Sequence, residues 1–310
     1  SLSFNVGRLK TTNVFSIDWH PTDDNLIAVG ALDSGYRIYN VTTNEMLKYV
    51  EVGSTSVTRV IWNVDGTLIA TAANWVRDNF HDPRVDIWDA TTYELVASFP
   101  HSFFITDVQW HPTDPFKLAS TAYDETPRFW DVNLGEEYRP LIPNNGGGTD
   151  IAWNFDGTQI AIAQAGNIGV DVGIWDISQN PEVLIREFDI TDYINLAWKN
   201  DGTIAISEES KYHITDVEAR EIFETGELTL PDSPEYVNAL DWSVNGDLAV
   251  GGTDDTLLYF KPSTYYIVDE ASDFTRFINM ANANTSMNIF DVRGDFELTE
   301  ALPDITGDIT

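Results

Sequence analysis

A repeat of 43 to 48 residues runs along this chain and constrains its fold more than any other feature of the sequence. Six tryptophans mark the repeat, and each of them ends a short stretch in which apolar and polar residues alternate. Such alternation is typical of a half-buried β-strand. A fixed period of this length predicts a series of similar small sheets that bury their apolar faces against one another. The six tryptophans are Trp19, Trp62, Trp110, Trp153, Trp198 and Trp242.

A turn follows each of these tryptophans. In four repeats a glycine lies four residues after the tryptophan and is preceded by Asp or Asn, at 65–66, 156–157, 201–202 and 245–246. Both residue types tolerate positive φ, which predicts tight hairpin turns. The first and third repeats instead carry His-Pro-Thr-Asp, at 20–23 and 111–114, where proline restricts φ. Because His20 and His111 occupy equivalent turn positions, we interpret them as structural residues rather than metal ligands.

Further strand-like stretches complete the repeats. A second strand is predicted directly after each turn, as at 26–29 and 68–72, and a fourth is visible at 94–99 and 265–269. The third strand ends in a pair that is usually aromatic and then polar: Tyr39-Asn40, Trp88-Asp89, Trp130-Asp131, Trp175-Asp176 and, more weakly, Thr215-Asp216 and Phe260-Lys261. Four strands per period, with Trp-Asp at the end of the third, predict the blades of a β-propeller.

The Trp-Asp pairs give this chain a resemblance to the WD-repeat β-propellers that covers nearly its whole length. The resemblance implies an all-β fold and a non-catalytic scaffold that binds other proteins. No Gly-His dipeptide opens any repeat, so we expect the buried His–Ser–Trp hydrogen-bond chain of that family to be incomplete here. The aspartate that the family carries between its second and third strands is present as Asp33, Asp124 and Asp254, which we interpret as structural turn acceptors.

We predict a single domain over residues 1–310 that forms a seven-bladed propeller of four-stranded antiparallel blades. The seventh blade would combine 273–310 with 1–8, so that the N-terminal strand closes the ring and removes two open sheet edges. Two alternatives stay open: residues 288–292 resemble a third strand, which would pack the termini differently, and six blades plus an irregular flap would also account for the pattern. The first six blades are predicted at about 9–52, 53–100, 101–143, 144–190, 191–232 and 233–272.

The charge restricts the partners of this chain. Its 17 basic and 50 acidic residues give a net charge of −33. Because so negative a field repels phosphate backbones and anionic lipids, we expect a protein or peptide partner, no nucleic acid and no insertion into a membrane. Aspartate outnumbers glutamate, and arginine outnumbers lysine. This acidity fits either adaptation to a high-salt habitat or an extracellular or marine protein that is merely acidic.

Other global features exclude further classes. The chain has no cysteine, which removes disulfides, thiolate zinc sites and cysteine nucleophiles. It has no run of 18 apolar residues and no signal-peptide pattern, so we expect a soluble protein of the cytoplasm or the extracellular space. Because the first residue is Ser rather than Met, a processed start and a lost signal stay open.

Motifs for catalysis are missing from the sequence. It contains no Gly-x-Ser-x-Gly elbow, no Walker loop and no His-Glu-x-x-His. The three glycines at 146–148 resemble a phosphate loop, but neither a lysine nor a helical pattern follows them, so we interpret them as a connection before the fourth repeat. Acidic turns such as 23–24 and 254–255 lack the spaced ligands of a calcium loop. We therefore expect no catalytic residue, no metal and no cofactor.

The second repeat contains the feature that most suggests a binding surface. The spacing from Trp62 to Trp110 is the longest, and its excess lies at 74–84, between the second and third strands. The composition of this loop is that of a protein-interface hot spot, and the predicted partner-binding residues on this rim are Trp75, Arg77, Phe80, Arg84, Phe103, Phe104, Tyr123 and Arg128. The alternative to a binding role is that the aromatic residues of the loop only pack it against its own blade.

The distribution of charge favours the same rim. Residues 1–155 contain 10 basic and 20 acidic side chains, whereas residues 156–310 contain 7 and 30. The half with the long loop is thus less negative, which favours docking of an acidic partner there. Three functions stay open: a protein-binding scaffold, which the resemblance favours; a structural subunit of a larger assembly, inside or outside the cell; and an enzyme with a site in the central channel.

Overall fold

The computed structural model describes residues 14–53, 56–75, 83–123, 127–138, 146–166, 169–179, 182–190, 194–199, 201–208, 211–216, 224–227, 237–242, 248–252, 257–260, 265–268 and 289–292. Every regular element in these ranges is a β-strand, which confirms the predicted all-β class. Within the same ranges no helix has the length and the apolar content that a membrane crossing requires.

Most of the strands form four-stranded antiparallel sheets in which the strands lie in chain order. Sheet 1 contains β1 (Val14–Trp19), β2 (Leu26–Ala31), β3 (Gly35–Asn40) and β4 (Glu45–Glu51). Sheet 2 contains β5 (Ser56–Trp62), β6 (Leu68–Trp75), β7 (Arg84–Asp89) and β8 (Leu95–Pro100). Sheet 3 contains β9 (Ile105–Trp110), β10 (Lys117–Ala122), β11 (Arg128–Asp131) and β12 (Glu136–Glu137). Sheet 4 contains β13 (Gly146–Trp153), β14 (Gln159–Gly166), β15 (Gly169–Asp176) and β16 (Val183–Ile190). Sheet 5 contains β17 (Leu196–Trp198), β18 (Thr203–Glu208), β19 (Lys211–Asp216) and β20 (Glu224–Glu227).

The last part of the described chain departs from this plan. Sheet 6 has three strands, β21 (Val237–Trp242), β22 (Leu248–Gly252) and β23 (Leu257–Phe260). The predicted fourth strand of this repeat forms β24 (Tyr265–Val268), but it pairs in parallel with β25 (Ile289–Val292) instead of with β23. That pairing was wrongly predicted, because strand propensity identifies a strand without identifying its neighbour. The predicted closing segment, 1–8, and most of 273–310 lie outside the described residues.

Most of the described core lies between consecutive sheets, and one smaller cluster of Ile27, Val29 and Tyr39 lies within sheet 1. Each of five buried apolar clusters joins two consecutive sheets, from sheets 1 and 2 through to sheets 5 and 6. Between sheets 2 and 3, for example, Phe99 stacks on Trp130 with ring centroids 4.8 Å apart. The sheets are therefore stacked face to face in chain order, as the blades of a propeller are.

The repeat tryptophans take part in this stacking. Trp62, Trp110 and Trp153 are buried, and Trp198 and Trp242 are half-buried. Three of the indoles donate a hydrogen bond to the carbonyl of the residue just before the tryptophan of the preceding sheet. These bonds run from Trp110 Nε1 to Ile61 (3.3 Å), from Trp153 Nε1 to Gln109 (3.4 Å) and from Trp242 Nε1 to Ala197 (3.0 Å).

Trp19 differs from the other repeat tryptophans because its side chain is 54% exposed. The repeat pattern predicts that it is buried between neighbouring blades. The other tryptophans pack against the sheet that precedes them, and no described residue forms a sheet before sheet 1.

The turns after the tryptophans are wider than the predicted two-residue hairpins. In sheets 2 and 4 the Gly66 and Gly157 amides donate to the carbonyls of Asn63 and Asn154, three residues earlier (3.0 and 3.1 Å). Each glycine has a φ of 75°, whereas the aspartate before it is not in the positive-φ region. Only the glycine therefore supplies the left-handed conformation, and the aspartate accepts hydrogen bonds within the turn.

The glycines at 146–148 belong to a strand and not to a connection. They open β13 and pair with residues 164–166 of β14. A Cβ on Gly148 would lie 2.6 Å from the Cβ of Thr121 in sheet 3. Glycine is needed at this point because sheets 3 and 4 approach each other too closely for a side chain.

Candidate protein-interaction face and first-strand polar cluster

Antiparallel order places two kinds of connection at the same end of each sheet. We name the surface formed by these ends the connection face. The two kinds are the connections that enter the first strands and those between the second and third strands. In sheet 3 the two meet, because the Tyr123 amide donates to the Phe104 carbonyl at 3.0 Å and the two rings stack at 5.9 Å. Phe103, which precedes Phe104 in the chain, is 57% exposed, and Tyr123 is also exposed. The structure thus brings three of the predicted site residues together, and two of them face solvent.

Two predicted arginines of this face are engaged within the protein. Arg84 begins β7, where its Nε pairs with Asp86 at 3.0 Å and its Nη2 donates to the Val52 carbonyl at 3.0 Å. Arg128 begins β11 and pairs with Glu137 at 3.6 Å. Both side chains therefore order the connection face, and a partner would compete with these carboxylates for them.

The other predicted residues lie at the long connection of sheet 2. Trp75 is the last residue of β6 and lies opposite Ser56 in the register. Its side chain, together with Arg77 and Phe80, lies outside the described residues. The preceding residue, Asn74, is buried and exchanges two hydrogen bonds with the backbone of Ile105 in sheet 3, at 2.7 and 2.8 Å. The start of this connection is thereby attached to the next sheet.

The family's buried hydrogen-bond chain is present in sheet 3, contrary to the prediction. His101 Nε2 lies 2.7 Å from Ser120 Oγ, and Trp130 Nε1 donates to the same oxygen at 2.8 Å. Pro100 stands where the family has glycine. The prediction was wrong because the interaction requires the histidine side chain at this position and not the glycine before it.

A second polar system lies on the first strands and was not predicted. In sheets 1 to 4 a β-bulge occurs four residues before the tryptophan, because the register with the second strand skips one residue there. A bulge redirects the side chain that follows it. The residues that follow the bulges, three before each tryptophan, are Ser16, Arg59, Asp107 and Asp150.

These redirected side chains bond to the first strand of the next sheet. Ser16 Oγ accepts from the Val60 amide at 3.1 Å, and Asp150 accepts from the Leu196 amide at 2.6 Å. Asp107 lies 3.4 Å from the amide of Ile151 in the same way. First strands are sheet edges with unpaired amides, and these bonds satisfy some of them.

Arg59 is the exception, since it is a donor at a position where the other sheets have acceptors. Its Nε pairs with Asp107 at 2.7 Å, and its Nη2 lies 3.7 Å from Asp150. Both carboxylates are buried, and the guanidinium is one-third exposed. We call these three residues the first-strand cluster; it links sheets 2, 3 and 4.

The ionisation of this cluster follows from its burial. Desolvation, reinforced by the neighbouring Asp107, raises the pKa of Asp150 well above its usual range. The Asp107 carboxylate raises the pKa of Arg59, so the arginine stays charged. The raised pKa of Asp150 favours its protonated form at this buried position beside a second carboxylate. Such a group can hold a proton, but the described carboxylates are occupied by backbone amides and by Arg59.

Sequence reasoning missed the cluster although a signal was present. Asp107 and Asp150 lie three residues before Trp110 and Trp153. Arg59 lies at the same position of the second repeat, three residues before Trp62. Opposite charges at one repeat position indicate contacts between consecutive repeats. Among the residues that the structure describes, no group of three His, Asp or Glu side chains has the arrangement to hold a metal ion.

Comparison with known protein families is consistent with this architecture. The family model of the eukaryotic translation initiation factor eIF2A matches residues 3–133. Curated relatives include the intraflagellar transport protein 80 homolog of Mus musculus, which is 29% identical over 150 residues, covering 48% of this chain and 18% of that protein. The F-box-like/WD repeat-containing protein TBL1X of Mus musculus is 27% identical over 167 residues, covering 49% of this chain and 30% of that protein.

A third relative is the GATOR2 complex protein WDR24 of Danio rerio, which is 31% identical over 121 residues, covering 37% of this chain and 15% of that protein. This chain therefore spans less than a third of the length of each of these three relatives. The resemblance to WD-repeat proteins that the Trp-Asp pairs indicated is confirmed by these matches.

Proposed function

Because the chain is built from WD-type repeats, we propose that it is a non-catalytic scaffold that binds a protein or peptide partner on its connection face. WD-repeat relatives are typically scaffolds for protein interactions. The observation that carries the proposal is the aromatic group of sheet 3, where Phe103 and Tyr123 face solvent beside Phe104. Exposed aromatic residues with arginines next to them are typical of interface hot spots.

The partner surface comprises the described residues of this face and the long connection of sheet 2. Arg84 and Arg128 are ion-paired, so they hold the face in shape and exchange carboxylate partners on binding. The connection contributes Trp75, Arg77 and Phe80. An acidic partner segment with apolar side chains suits this combination of arginines and aromatic rings.

We extend the proposal to the ring. Seven blades in one domain, closed by the N-terminal strand, would cover the exposed first strand of sheet 1, which includes Trp19. Deletion of residues 1–8 would then lower the melting temperature and increase the quenching of tryptophan fluorescence. Six blades with a separate flap would leave both measurements unchanged.

The test of the binding face compares a double variant of the long connection with a double variant of exposed residues elsewhere. The double variant Trp75→Ala/Arg77→Ala is expected to weaken partner binding by about 2–4 kcal/mol, the hot-spot range, with little change in melting temperature. The control, Met46→Ala/Leu47→Ala, removes exposed apolar side chains from the outer strand of sheet 1 and should capture the same proteins as the unmodified chain. Binding would be measured by quantitative capture from lysate of the source cells.

Three outcomes are informative. Full capture by the double variant removes the loop from the interface, and loss of folding shows that Trp75 packs its own blade. A complex whose mass by light scattering persists at high dilution and in high salt favours the structural-subunit alternative. The first-strand cluster does not favour an enzyme, because its carboxylates are occupied by Arg59 and by backbone amides.

A further inference from the structure

The opposite end of the sheets carries a second continuous surface, which we name the hairpin face. It consists of the turns after the repeat tryptophans and the turns between third and fourth strands. Neighbouring turns are bonded to each other: Asn63 Nδ2 donates to the Pro115 carbonyl at 3.0 Å. His111 Nδ1 accepts from the Thr113 and Asp114 amides, so its Nε2 carries the proton and donates to the Gly157 carbonyl at 3.2 Å. The turns of sheets 2, 3 and 4 are therefore held side by side.

Large apolar side chains project from these joined turns. Val64, Phe116 and Phe155 lie in the turns of sheets 2, 3 and 4, and all three are exposed. Leu134 lies in the adjacent turn of sheet 3, and Phe155 and Leu134 are 59% and 64% exposed. The turn geometry requires none of them, since the turns are stabilised by Asn, Asp, Thr and Gly. Exposed apolar groups on one rigid surface mark an interaction site when a partner can cover them.

The border of this apolar surface is negatively charged. Hydrogen bonds from the hydroxyl and the amide of Thr158 lower the pKa of Asp156. The pKa of Asp65 is also lowered, since bonds from the hydroxyl and amide of Thr67 outweigh the opposing effect of desolvation. Lys117 begins β10 next to Phe116, and its ammonium group is paired with Asp114 at 2.8 Å. The fixed charges around the apolar residues are thus predominantly carboxylates.

We propose that the hairpin face is a second docking surface, and that it binds a basic protein segment that carries apolar side chains. Phe116, Leu134 and Phe155 would contact the apolar side chains of the segment, while Asp65 and Asp156 would face its lysines or arginines. Charge complementarity selects this class of partner, because a neutral or acidic segment would place no cation beside these carboxylates. The two faces then select partners of opposite charge, and the second surface does not depend on the function of the first.

The test compares two phenylalanines that have nearly equal exposure on opposite faces. Phe155→Ser changes the hairpin face, and Phe103→Ser, where the side chain is 57% exposed, is the matched control on the connection face. The probe is a fluorescein-labelled peptide of alternating lysine and leucine, titrated with the full chain and followed by fluorescence anisotropy. A lysine–serine peptide and an aspartate–leucine peptide of equal length serve as controls for charge and for apolar contact.

We expect the lysine–leucine peptide to bind at least tenfold more tightly than either control peptide. Phe155→Ser should weaken that binding at least fivefold, and Phe103→Ser should leave it within twofold. If Phe155→Ser lowers the melting temperature, Glu136→Lys replaces it, because this exposed residue lies two positions after Leu134 and the reversal of its charge should weaken binding of the same peptide. Equal affinity for the lysine–serine peptide, equal losses in the two phenylalanine variants or the absence of binding would each overturn the proposal.

Discussion

The first strands of sheet 1 and sheet 3 have similar sequences and opposite environments. In β9, Ile105 and Val108 are fully buried and Trp110 is 7% exposed. In β1, the equivalent Val14, Ile17 and Trp19 are all exposed. The strands, their turns and their second strands are otherwise alike. Among the described residues a sheet precedes sheet 3 and none precedes sheet 1, so the burial of β9 comes from the previous repeat and not from its own.

The polar contacts show the same dependence. Ser16, Asp107 and Asp150 each accept a hydrogen bond from an amide of the next sheet. Three of the later tryptophans donate a hydrogen bond to a carbonyl of the previous sheet. The unit of stability is therefore the junction between two sheets, as expected for an array whose repeats contact only their neighbours. The four predictions below test this interpretation at junctions of different kinds.

The largest effect is expected at a buried tryptophan. Trp153→Ala should lower the free energy of unfolding by about 3–5 kcal/mol, through lost burial and the cavity that remains. Trp19→Ala, at the equivalent position of sheet 1, should cost no more than about 1 kcal/mol in a chain that leaves this indole exposed, whereas a cost near that of Trp153→Ala is expected where the N-terminal strand covers it as proposed. Denaturant unfolding of both variants measures the difference. Equal losses would show that a further segment buries Trp19 as fully as sheet 3 buries Trp153.

A smaller effect is expected at the first-strand cluster. Arg59→Met would leave the buried Asp107 and Asp150 without their cation, which should cost about 2–4 kcal/mol at neutral pH. The pKa of Asp150 is raised in the folded state, so the folded protein takes up its proton at a higher pH than the unfolded chain. The loss should therefore diminish as the pH falls and grow as it rises.

The control for the cluster is the double variant Arg59→Met/Asp150→Asn. It removes one carboxylate with the cation and should recover a large part of the stability at neutral pH. Urea unfolding of the single and double variants at two pH values would measure this. A double variant that is no more stable than Arg59→Met would mean that Arg59 acts through packing and not through charge.

The junction between His111 and the next turn should give an intermediate effect. Gly157→Ala would place a methyl group against the His111 ring at a residue whose φ is 75°, so we expect a loss of about 2–3 kcal/mol. Gly135 has a φ of 72° but nothing within 4 Å of the position of a Cβ, so Gly135→Ala should cost only the backbone strain, about 1 kcal/mol. Thermal melting of the two variants separates strain from steric contact; similar losses would exclude the histidine as a constraint.

The smallest effect is expected at the junction of sheets 1 and 2, where Asp18 accepts from the Trp62 amide at 2.7 Å. Burial raises the pKa of Asp18 to about 6, against the opposing effect of that bond. Since the folded pKa exceeds the unfolded one, the contribution of Asp18 is greatest at low pH and declines as the pH rises from about 4 to 6. Asp18→Asn should remove that slope and be more stable above pH 6, by on the order of 1 kcal/mol after solvent screening.

This last prediction is checked by the pH dependence of the melting temperature between pH 4 and 7. An unchanged slope in Asp18→Asn would assign the titration to another carboxyl group, and Asp241→Asn is the variant to compare because the charge of Asp241 also raises the pKa of Asp18.

Much of the local structure could be predicted from the sequence. β1 begins and ends where the alternation does, and the pairs Trp88-Asp89 and Trp130-Asp131 end third strands as predicted. The aspartates of these pairs accept backbone amides in the turns that follow, at 2.7–3.1 Å. Both features depend on residues close in sequence, which is why a period and a turn motif suffice to predict them.

The candidate site was less predictable. Phe104 and Tyr123 lie together at one rim, as antiparallel order alone implies for their connections, whereas the predicted role of Phe103, Phe104 and Tyr123 in partner binding stays a prediction. The hydrogen-bond partners of Arg84 and Arg128 were not predicted, and neither was the hairpin face with its exposed Phe155. Whether a side chain is paired or exposed depends on neighbours from other strands and turns, which no local pattern specifies.

The sequence by itself determined that this is an all-β chain of tryptophan-marked repeats with strongly acidic character, since strand alternation, turn residues and net charge are local or additive properties. Only the tertiary structure decided that Trp19 differs from Trp110, that Gly148 lies in a strand pressed against Thr121, and that Arg59 meets Asp107 and Asp150. Those contacts join residues more than 25 positions apart, and their energies depend on distances between sheets. Similar repeats therefore acquire different environments according to the sheets on either side of them.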